Sequence, residues 1–153
     1  MANRRITRDE AIEILKKGAY GVLSTASPDG TPYGVPMNYV YIEAENAIFF
    51  HCFIKGRKLE NIRMNSRVSF AVVGRQEVLP DRFITHYESA VVSGTARIIE
   101  GDEEKRRWLR ALCAGLAPEA VSRREEVIEK YLPAVSIIRM DIEEIRGKRN
   151  EDQ

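Results

Sequence analysis

The sequence predicts a mainly β protein with supporting α-helices: an antiparallel barrel of six strands, its helices packed outside. Three observations carry that expectation. Short segments of alternating or continuously apolar residues recur along the chain. Most are joined by tight polar turns, and the first three are linked too closely for the crossovers a parallel sheet needs. At 153 residues the chain is long enough for one domain with a sizeable apolar core.

Taken in order, Thr7 and Glu10 form a capping-box signature, and Ala11, Ile12, Ile14 and Leu15 give the apolar face of a short helix that Gly18 ends. Ser27-Pro28-Asp29-Gly30 is turn chemistry, because Pro presets φ and Gly supplies a positive one. The flanking segments AYGVLSTA and TPYGVPMNYVYI are the strands of a hairpin. A polar turn over 43–46 leads into the strand AIFFHCFI. Residues 56–64 read as a short helix with Leu59, Ile62 and Met64 toward the core, and 67–74 as the next strand. A breaker stretch containing Pro80 follows, with His86 in a loop. Residues 87–99 form a long strand, where Gly94 marks a bend or a close backbone approach. Residues 102–116 and 118–131 read as two helices, 134–142 as the last strand, and RGKRNEDQ as a polar, mobile tail.

Lys plus Arg is 24 against 23 Asp plus Glu, a balance that argues against a nucleic-acid or membrane-surface binder. No apolar run reaches bilayer-spanning length, and the basic start lacks a signal peptide's apolar segment. Cys52 and Cys113 form no disulfide framework, so a cytoplasmic protein is expected. Two histidines without ligand spacing point to no metal site.

Gly56-Arg57-Lys58 carries the strongest chemical signal. Cations in a helix's first turn oppose the positive end of its dipole, which makes sense if a phosphate sits there on free backbone N–H groups. The alternative is a solvated basic patch. The second signal is Val35-Pro36-Met37-Asn38-Tyr39-Val40. Pro36 cannot donate to a ladder, and the Asn38 amide brings donors and an acceptor that a planar heterocycle can satisfy. Tyr33, Tyr39 and Tyr41 share one face, as core or as dimer interface. His51 and Cys52 are adjacent on a strand and point to opposite faces.

In sequence order, PYGVPMNYVYI, IFFHCFIKGRKLENIRMNSRVSFAVVG and YESAVVSGTARII resemble the pyridoxamine-5′-phosphate-oxidase-like FMN-binding split-barrel superfamily. Within it they resemble the nitroimidazole-resistance (Nim) branch, where a strand ending in FH precedes GRKL and a later RV strand. The likeness covers residues 5–147, followed by a tail over 148–153. It implies a six-stranded split β-barrel of Greek-key type with peripheral helices, forming a homodimer with FMN at the interface. By this resemblance Val35, Pro36, Met37, Asn38, Tyr39 and Val40 meet the flavin, as do His51 and Cys52. Arg57 and Lys58 hold its phosphate, Tyr87 and Ser89 approach from a later strand, and His51 is the candidate active-site residue. Val35 stands where true pyridoxamine phosphate oxidases carry a basic residue, and their C-terminal Arg/His segment has no counterpart, so that oxidase activity is not expected. The expectation is a reductase or oxidoreductase of a small electron-poor, nitroaromatic-like molecule, with NAD(P)H as a candidate donor. The alternatives are a non-catalytic flavin carrier or sensor, or a barrel using haem or F420.

Overall fold

A computed structural model describes residues 4–151. The chain runs β1 (Arg5–Ile6), α1 (Arg8–Lys17), β2 (Tyr20–Ala26), β3 (Pro32–Asn38), β4 (Val40–Ile42), β5 (Ala47–Phe53), α2 (Arg57–Met64), β6 (Arg67–Leu79), β7 (Ile84–Ile98), α3 (Asp102–Leu116), α4 (Arg124–Tyr131) and β8 (Val135–Asn150). Every strand pairing is antiparallel, in the order β3-β2-β6-β7-β8-β5-β4, with β1 added to β8. β3 and β4 lie at opposite ends of that path although Tyr39 alone separates them in sequence. The sheet therefore curls into a barrel left unladdered at one seam, a split barrel of the expected class.

Eight strands replace the six expected because the second predicted strand breaks at Tyr39 and a short β1 is added. The break has a local cause. The Tyr39 N–H donates to the Ala19 carbonyl (3.3 Å), its hydroxyl donates to the Leu15 carbonyl (2.7 Å), and its ring packs edge-on against Phe70. Strand alternation sends Leu23, Met37, Ile48, Phe50, Phe70, Val72, Val92, Ile138 and Met140 into the barrel. Two helices close its ends rather than packing outside. α1, held by the Thr7–Glu10 capping box, buries Ala11, Ile12, Ile14 and Leu15. α2 inserts Leu59 and Ile62 at the opposite end. A second core lies outside the barrel, where α3 and α4 cover Ala47, Phe49 and Ile137, with Phe49 stacked on Trp108 at 3.9 Å between ring centres.

Gly94 sits at a β-bulge. Ser93 pairs with Glu144 and Gly94 with Ile142, which leaves Glu143 unmatched, and a Cβ on Gly94 would overlap the Asp141 carbonyl oxygen. Three boundaries differ from the sequence reading. The expected loop around Pro80 is a two-stranded arm: β6 and β7 pair out to Leu79 and Ile84, so His86 lies in a strand. At its tip Phe83 takes a left-handed φ of 53° and is 96% exposed. The second α3/α4 helix begins only at Arg124, because Ala117 leaves helical geometry and successive turns span 117–124. The expected tail continues β8 to Asn150. There the Arg149 N–H donates to the Arg4 carbonyl, its guanidinium reaches Glu10 (2.8 Å) and Glu88 (3.3 Å), and the Asn150 amide donates to the Thr85 carbonyl.

Candidate functional site

α2 begins at Gly56, whose φ of 143° favours glycine, and no side chain caps the helix. Arg57 and Lys58 follow at once. Neither pairs with a carboxylate among the described residues, whereas Arg67, Arg75, Arg106, Arg110, Arg139 and Arg149 each hold one. Two unneutralised cations thus stand on the positive end of a helix, which is electrostatically unfavourable until an anion joins them. A Cβ on Gly56 would meet nothing within 4 Å, so the space in front of the helix start is open.

Three contacts fix this cradle. The Arg57 guanidinium lies over the Tyr33 ring, 5.1 Å from its centre. The Asn61 side-chain amide donates to the Thr25 hydroxyl (2.9 Å), and that hydroxyl donates to the Tyr33 carbonyl (3.4 Å). Asn61 and Thr25 are both buried, so the helix is tied to the β2–β3 hairpin by a polar link shielded from water. Burial pushes the Cys52 thiol up, opposed by the nearby Lys58 ammonium, which places those two side chains in one neighbourhood.

Along β3, Tyr33, Val35 and Met37 turn inward while Pro36 and Asn38 lie on the exposed outer face. Tyr39 is sealed in the core and Val40 packs toward α3, so residues 35–40, expected together at one site, are divided between surfaces. Asn38 spends one donor on the Ala19 carbonyl (2.9 Å). Tyr39 is a core residue and Tyr41 packs partly buried against the core, whereas Tyr33 is half-buried with its ring against Arg57.

The outer face itself is a grid fixed by register. Gly34, Ser24, Ser69 and Ser93 form one row; Pro36, Val22, Ala71 and Val91 form the next. Ser89, paired with Val73 and Lys148, lies on this face beyond the second row. The first row is level with the α2 cradle, since Thr25 and Tyr33 are paired beside it. Tyr87 and Ser89 lie four to six residues further along β7 than Ser93, roughly 13–20 Å, and three strands to the side. One chain therefore does not bring them to its own Arg57 and Lys58.

His51 projects from the other side of β5, as its alternation with Cys52 requires. It borders an apolar cleft of about 380 Å³ beneath α3 and α4, with Leu112, Leu116, Ile128 and Tyr131 among its walls. His51 is exposed, and desolvation on its cleft side lowers its pKa from the usual 6.5, favouring the neutral ring. Among the described residues no cluster of His, Cys, Asp and Glu is arranged to hold a metal ion, and no helix is long and apolar enough to cross a membrane.

The sequence model of the pyridoxamine 5′-phosphate oxidase family matches residues 7–149. The chain belongs to this family. A comparison with curated proteins finds no match. Among solved structures, a candidate 5-nitroimidazole antibiotic resistance protein of Bacteroides thetaiotaomicron aligns at TM-score 0.77 and 21% identity, over 94% of this chain and 85% of that one. An FAD- and haem-binding protein of Mycobacterium smegmatis aligns at 0.80 and 19%, over 98% and 75%. An FAD-binding protein of Mesorhizobium loti aligns at 0.69 and 23%, over 99% and 100%. At these identities the likenesses establish the fold, and neighbours on it bind flavin and haem.

For this pyridoxamine 5′-phosphate oxidase family member, the sequence reading missed the groups that position the cradle. Asn61 sits within the α2 pattern as an ordinary polar residue, and Thr25 within a strand. The only available signal was that each falls at an inward position of its element, where a polar group needs a partner. Tyr33, read only as sharing a face with Tyr39 and Tyr41, carries no sequence signal that pairs it with Arg57.

Proposed function

We propose that this family member binds FMN with its phosphate on Arg57, Lys58 and the free N–H groups of the α2 start, and acts as an oxidoreductase on a small electron-poor molecule. The observation that carries the reading is the pair of unneutralised cations behind an open, glycine-capped helix start. A phosphate there supplies the missing charge, accepts from the backbone and receives the Arg fork bidentately. Tyr33 holds the guanidinium ready, and Asn61 and Thr25 hold the helix. Pro36 and Asn38 offer an exposed strand face for a ring edge. His51 presents a neutral imidazole at neutral pH for hydrogen bonding. A bound flavin supplies the electron-transfer chemistry, and protein groups supply binding, orientation and exclusion of water.

The reading includes a homodimer formed through the outer face. Across β3, β2, β6 and β7 that face is uncharged, with Val22, Pro36, Ala71 and Val91 among small serines and Gly34, and with exposed Tyr20 and Val73, and its rows end on β8 at Glu144, Arg146 and Lys148. Solvated monomers seldom keep such a surface bare. A second copy is also what could bring Tyr87 and Ser89 to another chain's cradle. The β6–β7 arm, with Phe83 and Val78 exposed, extends past the sheet toward such a partner.

The test is to purify the protein, add FMN and record the visible spectrum, then reduce anaerobically with NADH or NADPH and add a nitroaromatic. Flavin bands that bleach and return on adding the nitroaromatic support the enzyme. Bands that bleach with dithionite but not with either nucleotide, and do not return with a nitroaromatic, indicate a carrier. A Soret band without flavin bands, or colourless protein that takes up no FMN, overturns the proposal.

A further inference from the structure

A second cleft, of about 290 Å³, opens at the start of α4 and shares Cys113, Ala117 and Val127 with the apolar cleft beside His51. Arg124 lines it. The Arg124 Nε–H is buried with no hydrogen-bond partner, and its guanidinium otherwise makes one contact of 3.5 Å with the Pro118 carbonyl, too long for a good bond. Its neighbour Arg123 is paired with Glu126, and the facing Arg110 with Glu125. No carboxylate pairs with Arg124 among the described residues. A buried guanidinium donor left without an acceptor is costly, and here it stands among Cys113, Ala117, Ala120 and Val127, three of which also wall the larger apolar cleft.

We propose that the two adjoining clefts between α3 and α4 are continuous and bind a small amphipathic carboxylate. Its apolar body lies against Leu112, Leu116 and Ile128, and its carboxylate accepts from Arg124. The charge match selects an anion, the apolar lining selects a hydrocarbon or aromatic body, and the single cation selects a monocarboxylate over a more highly charged ligand. At interior packing density the larger cleft accommodates roughly fifteen heavy atoms, the size of a medium-chain fatty acid. The site lies under the outer helices, on the far side of β5 from the α2 cradle, and its larger cleft borders His51.

Titration calorimetry with sodium decanoate below its micelle concentration tests this, with decan-1-ol as the neutral counterpart. One decanoate per chain is expected. Arg124→Met should weaken it about tenfold or more, the loss of a charge-assisted bond, and Arg124→Lys should restore most of the affinity. Val127→Trp, which fills the shared wall from the exposed side of α4, should abolish binding. Decan-1-ol should bind more weakly and ignore Arg124→Met. Absence of saturable decanoate binding, equal affinity in Arg124→Met, or decan-1-ol binding as tightly as decanoate overturns the proposal. FMN titrated into the same samples separates the two readings: decanoate bound without FMN sinks the flavin function alone, and FMN bound without decanoate sinks this site alone.

Discussion

The buried Asn61–Thr25 link makes an unusual stability prediction. Asn61 is 4% exposed and Thr25 3%, and the bond between them is 2.9 Å. Asn61→Leu removes the donor and leaves the buried Thr25 hydroxyl with only its 3.4 Å bond to the Tyr33 carbonyl. Removing one partner of such a buried pair costs about 1–3 kcal/mol. That corresponds to a drop in Tm of about 2–12 °C for a chain this size. Thr25→Val leaves the Asn61 amide unsatisfied and should cost a similar amount. The double variant replaces both partners with apolar groups, a change that is often close to neutral. It should therefore be more stable than Asn61→Leu alone. Thermal unfolding followed by the fluorescence of Trp108, the sole tryptophan, reads all four proteins. A double variant whose loss equals the sum of the two single losses would refute the reasoning.

Gly94→Ala should destabilise by roughly 3 kcal/mol or prevent folding, because the new Cβ meets a backbone oxygen that cannot move aside; unfolding curves close to wild type would contradict it. Phe49→Ala breaks the stack with Trp108 and should cost about 3–5 kcal/mol, measured by denaturant midpoint. The His51 pKa is lowered in the folded state, so the unfolded chain takes up its proton first on acidification. Stability should be full above 6.5, fall as the pH drops from there toward the lowered folded value, and level off beneath it. His51→Gln should flatten that segment of the profile, and an NMR titration that places His51 above 6.5 would reverse the sign. If the proposed dimer forms, Phe83→Ser with Tyr20→Lys should shift it toward monomer in sedimentation without changing Tm of the monomeric form; a wild type that sediments as a monomer, or a dimer the two substitutions leave unaltered, would contradict that interface.

Elements whose order comes from local signals or burial were legible in the sequence: the Thr7–Glu10 box, the turn at Asp29 and Gly30, the buried run of β5, and the close approach at Gly94. Those ordered by pairing alone were not. Gln76, Glu77 and Val78 are exposed yet laddered to β7, and nothing in their composition separates them from a loop. The end of β8 is more instructive. Ile145 and Gly147 point inward while Glu144, Arg146 and Lys148 point out, but the inward glycine, pressed against Ile6 and Ala11, carries no apolar side chain to reveal the period. At the site, Arg57 and Lys58 were legible because their placement opposes the helix dipole. Asn61 and Thr25 were hidden, since their meaning lies in a contact 36 residues apart in sequence.

Comparing FMN with riboflavin tests the cationic cradle most directly, because the two ligands differ only by the phosphate. Fluorescence-quenching titrations of wild type and Arg57→Ala/Lys58→Ala suffice. Wild type should prefer FMN by about a hundredfold or more, from two charge-assisted contacts of about 1.5–3 kcal/mol each. The double variant should lose most of that preference while its riboflavin affinity holds. Equal wild-type affinity for the two ligands, or an FMN preference untouched by the double substitution, would contradict the account.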